Sequence, residues 1–398
     1  MRVLVTTEAH FQQDSKGMVF SDTGGRGYSF WARYLDAFES VTVIARLSPK
    51  KGEVAVPVEG PGVCFVPLSG YTGPEQYLRN LWRLKRQVRL VCQDEVAVIA
   101  RAPGAVATLV VNELHKKLRP YALEVVGDPY DAFSPGAVKH PLRPFFRWLF
   151  SRQLQRQCKR ACAVAYVTEG ALQRRYPPAP RILTTHYSSV ELPDEAFVQV
   201  PRLTYQGANT FTIVTVGSLA HLYKAPDVLI DAVGVCIRDR LDLRLTLIGD
   251  GKYRPELEAR ASALGLGERV SFLGQLPAGK AVRAQLDQAD LFALPSRQEG
   301  LSRATIEAMA RALPCIGSRV GGTPELLAPE DMVPPGNVTA LATRIREVLL
   351  DPARMARMSA RNLEKAGEYR GDILRERRAS FYQYVREQIS KWMKAKGR

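Results

Sequence analysis

Twice along this chain one rhythm recurs: a short β-branched run, a turn bearing glycine, an amphipathic helix and another apolar run. That order commits both stretches to βαβ units, because parallel strands need a crossover between them. In the first stretch RVLVT (2–6) reads as a buried strand, and a polar loop after it ends in Gly24-Gly25. Phe30, Trp31, Tyr34, Leu35 and Phe38 then share one helical face over 28–38, and a second strand follows at 40–46. Further strands are expected at 63–68, 96–100, 122–127 and 163–168. Residues 177–210 are rich in proline and polar side chains and read as a linker. The rhythm restarts with strands at 211–217, 243–249, 270–274, 291–295 and 314–318, each pair separated by a helix-like segment such as 226–235. From about 340 the chain reads as helical to its end, with Trp392 and Met393 in a basic last turn. The expected fold class is α/β, two Rossmann-like doubly wound domains. The boundaries are a first domain over 1–190, a linker over 191–210, a second domain over 211–370 and a terminal basic helix over 371–398. Such domains place ligands at the carboxyl ends of their strands, here facing a shared cleft.

Composition narrows the class further. The 398 residues hold 56 Lys+Arg against 40 Asp+Glu, a formal charge of +16, so an anionic partner is expected: nucleic acid, an acidic membrane surface or phosphorylated substrates. No run of 18 apolar residues and no apolar leader occurs, which sets the expected location as the cytoplasm. Cys158 and Cys162 are the one close cysteine pair, without the second ligand pair that a zinc site needs. The five histidines show no metal-ligand spacing, and D-x-D, the carboxylate pattern that holds a metal on a diphosphate, is absent from the sequence. Gly24-Gly25-Arg26-Gly27 does not fit the G-x-G-x-x-G of a nicotinamide enzyme.

The chemistry concentrates in PSRQEGLSRATIEAMA (295–310), which follows the strand LFALP and opens a helix near Leu301. A helix N-terminus offers free N–H groups and partial positive charge to a phosphate. Glu299 precedes it, and Glu307 lies eight residues on, at most about 12 Å along a helix. One acid could hold the hydroxyls of a sugar and the other those of a ribose, with the diphosphate between. The plain alternative is a solvated Glu299, with Glu307 paired to Arg303 and Arg311 at i−4 and i+4. Three strand ends support the first reading. Gly217-Ser218-Leu219 leads to Lys224, a reachable point charge. LIGDG carries Gly249 in a turn. Gly321-Gly322 permits close approach of a ligand to the backbone.

In this order, GSL…YKAPDVLIDAV…LIGDG…LFALPSRQEGLSRATIEAMARALPCIGSRVGGTPELL resembles the second domain of the family 4 (group 1) retaining glycosyltransferases of GT-B fold, over roughly 211–345. The resemblance implies that Glu299 contacts the transferred sugar, Glu307 the donor ribose and Lys224 the diphosphate. It implies that Gly300, Leu301 and Ser302 offer backbone amides. It also implies that the C-terminal helix returns to the first domain. Ser218 stands where the family often has Arg, Ala225 where it usually has Gly, and Ala312 replaces another common Gly. In the first domain Gly25 resembles the family's glycine turn near the donor phosphates. Asp128 falls where a catalytic-domain His often lies; it either handles the acceptor proton or caps the turn before Pro129. Thr168 and Glu169 are weaker candidates.

The expected activity is therefore transfer of a sugar from a nucleotide-diphosphate-sugar to an acceptor hydroxyl with retained configuration. No cofactor or metal is expected. The acceptor is a carbohydrate or lipid-linked molecule in surface polysaccharide or glycolipid assembly. The alternatives are a GT-B-fold epimerase or phosphorylase, or a non-catalytic basic protein that binds a membrane surface. Residues 138–160 and 76–90 are acid-free and interleave bases with Phe145, Phe146, Trp148, Phe150 and Trp82. They read either as anchors for an anionic membrane, giving peripheral attachment to its inner face, or as a core-facing stripe with a solvated back. No nucleic-acid-binding module is visible.

Overall fold

The computed structural model describes all residues except 22–25, 48–55, 72, 93–95, 135–139, 191, 206–209 and 398. The expected turn residue Gly25 lies outside the described residues. One sheet contains β1 (Arg2–Gln13), β2 (Val19–Ser21), β3 (Ser40–Leu47), β4 (Val56–Pro57), β5 (Val63–Leu68), β6 (Ala97–Ala102), β7 (Ala122–Val125), β8 (Ala163–Tyr166) and β9 (Leu183–His186). Its parallel strands run in the order β5-β3-β1-β6-β7-β8-β9, and β2 and β4 extend it antiparallel. The other sheet is wholly parallel. It joins β10 (Phe211–Val216), β11 (Leu243–Ile248), β12 (Val270–Phe272), β13 (Leu291–Leu294), β14 (Cys315–Ser318) and β15 (Met332–Val333) in the order β12-β11-β10-β13-β14-β15. Both sheets thus follow the doubly wound plan, with a first strand in the middle and the winding direction reversing beside it. Ligands of such sheets bind outside the carboxyl ends at that reversal, here between β1 and β6 and between β10 and β13. The architecture expected from the sequence is the one observed.

The differences are local. β1 continues past residue 6 to Gln13 and pairs with β2 where a polar loop was expected. Phe11 anchors the extension, fully buried with its ring 5.1 Å from that of Phe65. β9 lies inside the stretch read as linker; it is a half-buried edge strand paired to β8, too short and polar to stand out in sequence. The helix expected over 28–38 is α-helical over Tyr28–Ala32 and tightens to a 3₁₀ turn over Arg33–Asp36. Its apolar face is as predicted, with Phe30, Trp31, Tyr34 and Phe38 buried.

Helices Gly73–Val91, Ala105–Lys116 and Arg143–Arg160 cover one face of the first sheet through Leu84, Val88, Val110, Leu154 and Cys158. The acid-free aromatics are not part of that core. Trp82 is 76% exposed, Phe145 50% and Trp148 56%. The core-facing reading of these segments therefore fails for those three side chains.

The opposite face receives the C-terminal helix Gly371–Ala395, which ends a helical run of Val338–Leu349 and Pro352–Gly367. Its anchor is the buried carboxylate of Glu124 on β7. Tyr382 of that helix donates to Glu124 Oε1 at 3.0 Å, Tyr187 to the same oxygen at 2.9 Å, and Tyr34 to Oε2 at 2.9 Å. Arg101 on β6 donates to Oε2, and Arg33 stands 4.0 Å away. Burial alone would raise the Glu124 carboxyl, but Arg101 and Arg33, with the tyrosine hydroxyls, hold it below the usual carboxylate range. Its stabilising effect is therefore complete above about pH 4.5 and falls away as the pH drops through the folded-state value. Glu124→Ala is expected to lower stability by about 3–5 kcal/mol, since it strands buried guanidinium charge. Tyr382→Phe should cost about 1.5–3 kcal/mol for one hydrogen bond to a charged group. Urea unfolding of the three proteins at pH 7 checks both values, and equal midpoints would refute the anchor.

Candidate functional site

The winding reversal of the second sheet brings two loops together. The loop after β10 passes through Gly217 and a 3₁₀ turn, Leu222–Lys224, into the helix Pro226–Arg238. The loop after β13 carries Ser296, Arg297 and Glu299 into the helix Arg303–Ala310. Lys224 Nζ donates to Glu299 Oε1, and Ser296 Oγ donates to the same oxygen at 2.7 Å. Both partners of the ion pair are largely buried. Glu299 Oε2 has no hydrogen bond among the described residues, so one acceptor of this carboxylate is uncommitted.

Arg297 fixes the two loops to each other. Its Nη1 and Nη2 reach Asp227 at 2.8 and 2.6 Å, Nη1 also donates to the Leu222 carbonyl, and its backbone N–H donates to the Tyr223 carbonyl at 2.7 Å. Neither Arg297 nor Asp227 was singled out in the sequence. The signal was available: Asp227 completes the turn that begins at Lys224, and Arg297 sits two residues before Glu299. Ala225, between Lys224 and Asp227, has φ +53°, which explains why glycine suits this place.

The helix expected near Leu301 begins two residues later, at Arg303. Ser302 is its cap: Oγ accepts the Thr305 N–H at 3.2 Å and the Thr305 hydroxyl at 2.9 Å. Ser302 is buried, so its side chain serves the helix end. Glu307 lies on that helix, half-buried, with no ion pair or side-chain hydrogen bond among the described residues. The ion-pair alternative is not realised, because Arg311 is drawn to Asp287 at 2.6 and 2.9 Å. Burial raises the Glu307 carboxyl above its usual range, against the opposing pull of Arg303 and Arg283.

The glycines act mainly on backbone. A Cβ on Gly249, which has φ +134°, would stand 2.0 Å from the Gly217 carbonyl oxygen. On Gly217 it would stand 3.2 Å from Lys224 Cγ. Ser218 is exposed and its hydroxyl accepts the Ala220 N–H at 3.2 Å. Gly321 and Gly322 were expected to let a ligand approach; the space is taken instead by the loop after β13. A Cβ on Gly321 would fall 1.8 Å from the Glu299 carbonyl oxygen, and Gly322 N–H donates to the Gly300 carbonyl at 2.7 Å.

That loop also meets the first sheet. A Cβ on Gly300 would approach the Val126 carbonyl oxygen at 3.3 Å, and the Leu301 side chain packs into the cores on both sides. Glu325 crosses the cleft and accepts the N–H groups of Glu169, Gly170 and Ala171 at 2.6, 2.9 and 2.6 Å. Thr168 is buried and caps the short helix Ala171–Arg175 by accepting the Leu172 N–H at 3.0 Å. Glu169 enters the site through its backbone alone.

Asp128 has partners on both carboxylate oxygens. Its carboxylate caps the turn Pro129–Ala132 by accepting the Tyr130 N–H at 2.8 Å, and it also accepts from the Tyr176 hydroxyl and from Arg175. Both oxygens are hydrogen-bonded and the side chain is buried, so of its two expected roles the turn cap is the one these contacts describe. Asp128→Ala is expected to destabilise by about 1–3 kcal/mol, for a lost cap and a broken ion pair. It should leave ligand affinity at Lys224 and Glu299 unchanged, read by thermal melting and calorimetry. Gly321→Ala is expected to destabilise as well, because at this left-handed φ its Cβ would press on the Glu299 carbonyl and push the loop that carries Glu299 out of place; a lowered melting temperature checks it.

The profile of the family described as glycosyl transferases group 1 matches residues 210–351. Protein CapJ of Staphylococcus aureus is 24% identical over 334 residues, which span 82% of this chain and 81% of that one. The GDP-mannose-dependent monoacylated alpha-(1-6)-phosphatidylinositol monomannoside mannosyltransferase of Corynebacterium glutamicum is 33% identical over 170 residues, 40% of this chain and 44% of that one. Among solved structures, sucrose-phosphate synthase from Thermosynechococcus elongatus aligns with a TM-score of 0.73 at 17% identity, covering 98% of this chain and all of that one.

Proposed function

We propose that this chain, whose residues 210–351 match the group 1 glycosyltransferases, transfers a hexose from a nucleotide-diphosphate-sugar to an acceptor hydroxyl with retention of anomeric configuration. The observation that carries the reading is the meeting of Lys224 and Glu299 at the strand reversal, beneath the open end of the helix Arg303–Ala310. Lys224 supplies one positive charge and the helix end supplies N–H groups, so the leaving diphosphate is stabilised without a resident metal or cofactor. Glu299 Oε2 accepts a hydroxyl of the sugar and stabilises the positive charge that develops on its ring. Glu307, free of ion pairs, accepts from the ribose hydroxyls. With Asp128 committed to its turn, the proton acceptor in this reading is the departing phosphate, acting on the face from which it leaves.

The setting is surface polysaccharide or glycolipid assembly with a carbohydrate or lipid-linked acceptor. The Corynebacterium relative is described as using GDP-mannose on a phosphatidylinositol mannoside, which supports a nucleotide sugar and a lipid acceptor here. No described helix is long and apolar enough to cross a membrane. The reading places the enzyme in the cytoplasm, attached peripherally to the inner membrane surface.

Calorimetry with UDP, GDP, ADP and dTDP, without added metal, tests the donor site. One nucleotide is expected to bind in the micromolar range. Glu307→Ala should weaken it about 10- to 100-fold, the worth of hydrogen bonds to a charged group. Glu299→Ala should abolish transfer while largely sparing nucleotide affinity. No binding to any of the four, or full activity in both variants, would overturn the assignment.

A further inference from the structure

A groove that shares no residue with the Lys224–Glu299 site lies between the helices Ala105–Lys116 and Arg143–Arg160, with a volume of about 300 Å³. Arg152, Arg156 and Arg160 line one wall, and His115, Gln153 and Trp148 share the lining. These three arginines repeat every four residues, so one face of the helix carries all of them. Each is exposed, and none has a carboxylate within ion-pairing distance among the described residues. Several arginines of the second domain are neutralised: Arg260 pairs with Asp231, Arg269 with Asp242, Arg297 with Asp227 and Arg311 with Asp287, while Arg238 and Arg244 are exposed with no ion pair among the described residues. The groove's arginine row has no such neutralisation, and its helix contains no acid at all.

Apolar anchors border it. Phe145 and Trp148 stand half-exposed at the start of the helix, and Leu142 precedes them, 55% exposed. They are not loosely held, since Phe133, Phe146 and Phe150 form a ring cluster with centroids 5.4–5.9 Å apart beneath them. The helix leads from β7 to β8, so its first turns lie at the carboxyl edge of the first sheet, the edge where Gly300 meets Val126. Apolar anchors beside the cleft, backed by an unneutralised arginine row in a recess, match an interface that is anionic above and hydrocarbon below. A folded protein partner would need an acidic surface and would leave the aromatic rim without that second layer.

We propose that this groove binds the phosphate of an anionic phospholipid, with Phe145 and Trp148 entering the bilayer interface, so that the cleft is held against the membrane. The inference rests on the lipid-linked acceptor in the functional reading, and it concerns residues that take no part in donor binding.

Co-sedimentation of the full chain with phosphatidylcholine vesicles, with and without phosphatidylglycerol, tests it. Binding is expected only to the anionic vesicles. The triple variant Arg152→Glu, Arg156→Glu, Arg160→Glu should bind them roughly 100-fold more weakly, at about tenfold or less per removed arginine. Trp148→Ala should weaken binding several-fold with the charge intact. A control with the same charge change on the second domain, Arg238→Glu, Arg244→Glu, Arg357→Glu, should bind nearly as wild type. Equal loss in the control would overturn the groove in favour of bulk charge, and failure of the wild type to bind anionic vesicles, even with inorganic phosphate binding intact, would overturn it outright. Nucleotide affinity measured on the same samples separates the two readings: it should be unchanged in all three variants, and its absence from the wild type would count against the donor site alone.

Discussion

Gly322 donates its N–H to the carbonyl of Gly300 at 2.7 Å, and the rest of the cleft is arranged around that contact. Backbone can lie on backbone here because Gly321 and Gly322 have no Cβ to keep the chains apart. The loop after β13 is thereby backed by the chain at 321–322 beside Glu299. The same contact presses Gly300 toward Val126 of the first sheet and brings Glu325, three residues on, to the amides at 169–171. Placement of the acid and closure of the two halves are thus consequences of one packing event. A site made from loops gains its precision by this kind of support from neighbouring backbone.

The second domain was legible because its information is local. Strand, glycine turn and helix recur within short windows, and Glu299, Glu307, Ser302 and Lys224 sit at offsets that a helix and a turn impose on a single segment. The first domain hides its organising residue. Glu124 gathers Tyr34, Tyr187 and Tyr382, which lie 90, 63 and 258 positions away in sequence. A glutamate in an apolar strand carries no sign of such partners. Asp128 shows the converse: its spacing before Pro129 fitted a cap and a base equally, and only the three-dimensional neighbours Arg175 and Tyr176 decide for the cap. The aromatic stretch at 138–160 was ambiguous for a similar reason. Composition cannot say which side of a helix meets the sheet, whereas the burial of Leu154 and Cys158 turns Trp148 outward.

The departures at Ala225 and Ala312 have one physical meaning. Their φ angles are +53° and +56°, the left-handed region that glycine enters freely and alanine enters at a cost of about 1–2 kcal/mol. Both methyl groups are fully buried, which returns about 0.8 kcal/mol each. The balance is a modest strain at two helix ends, so the fold keeps the backbone conformation although the residue that favours it has gone.

Ser218 is the departure with a chemical consequence. With no guanidinium at 218, Lys224 is the cation in contact with Glu299. Under the proposed function, a diphosphate arriving at the helix end would compete for that lysine. If Lys224 turned toward phosphate, Glu299 Oε1 would lose its charged partner and keep the Ser296 hydroxyl at 2.7 Å. The carboxylate would then have more acceptor capacity for the sugar as the donor is seated. In that reading, the ion pair that joins two largely buried charges would make capture of the phosphate and readiness of the acid a single exchange of partners.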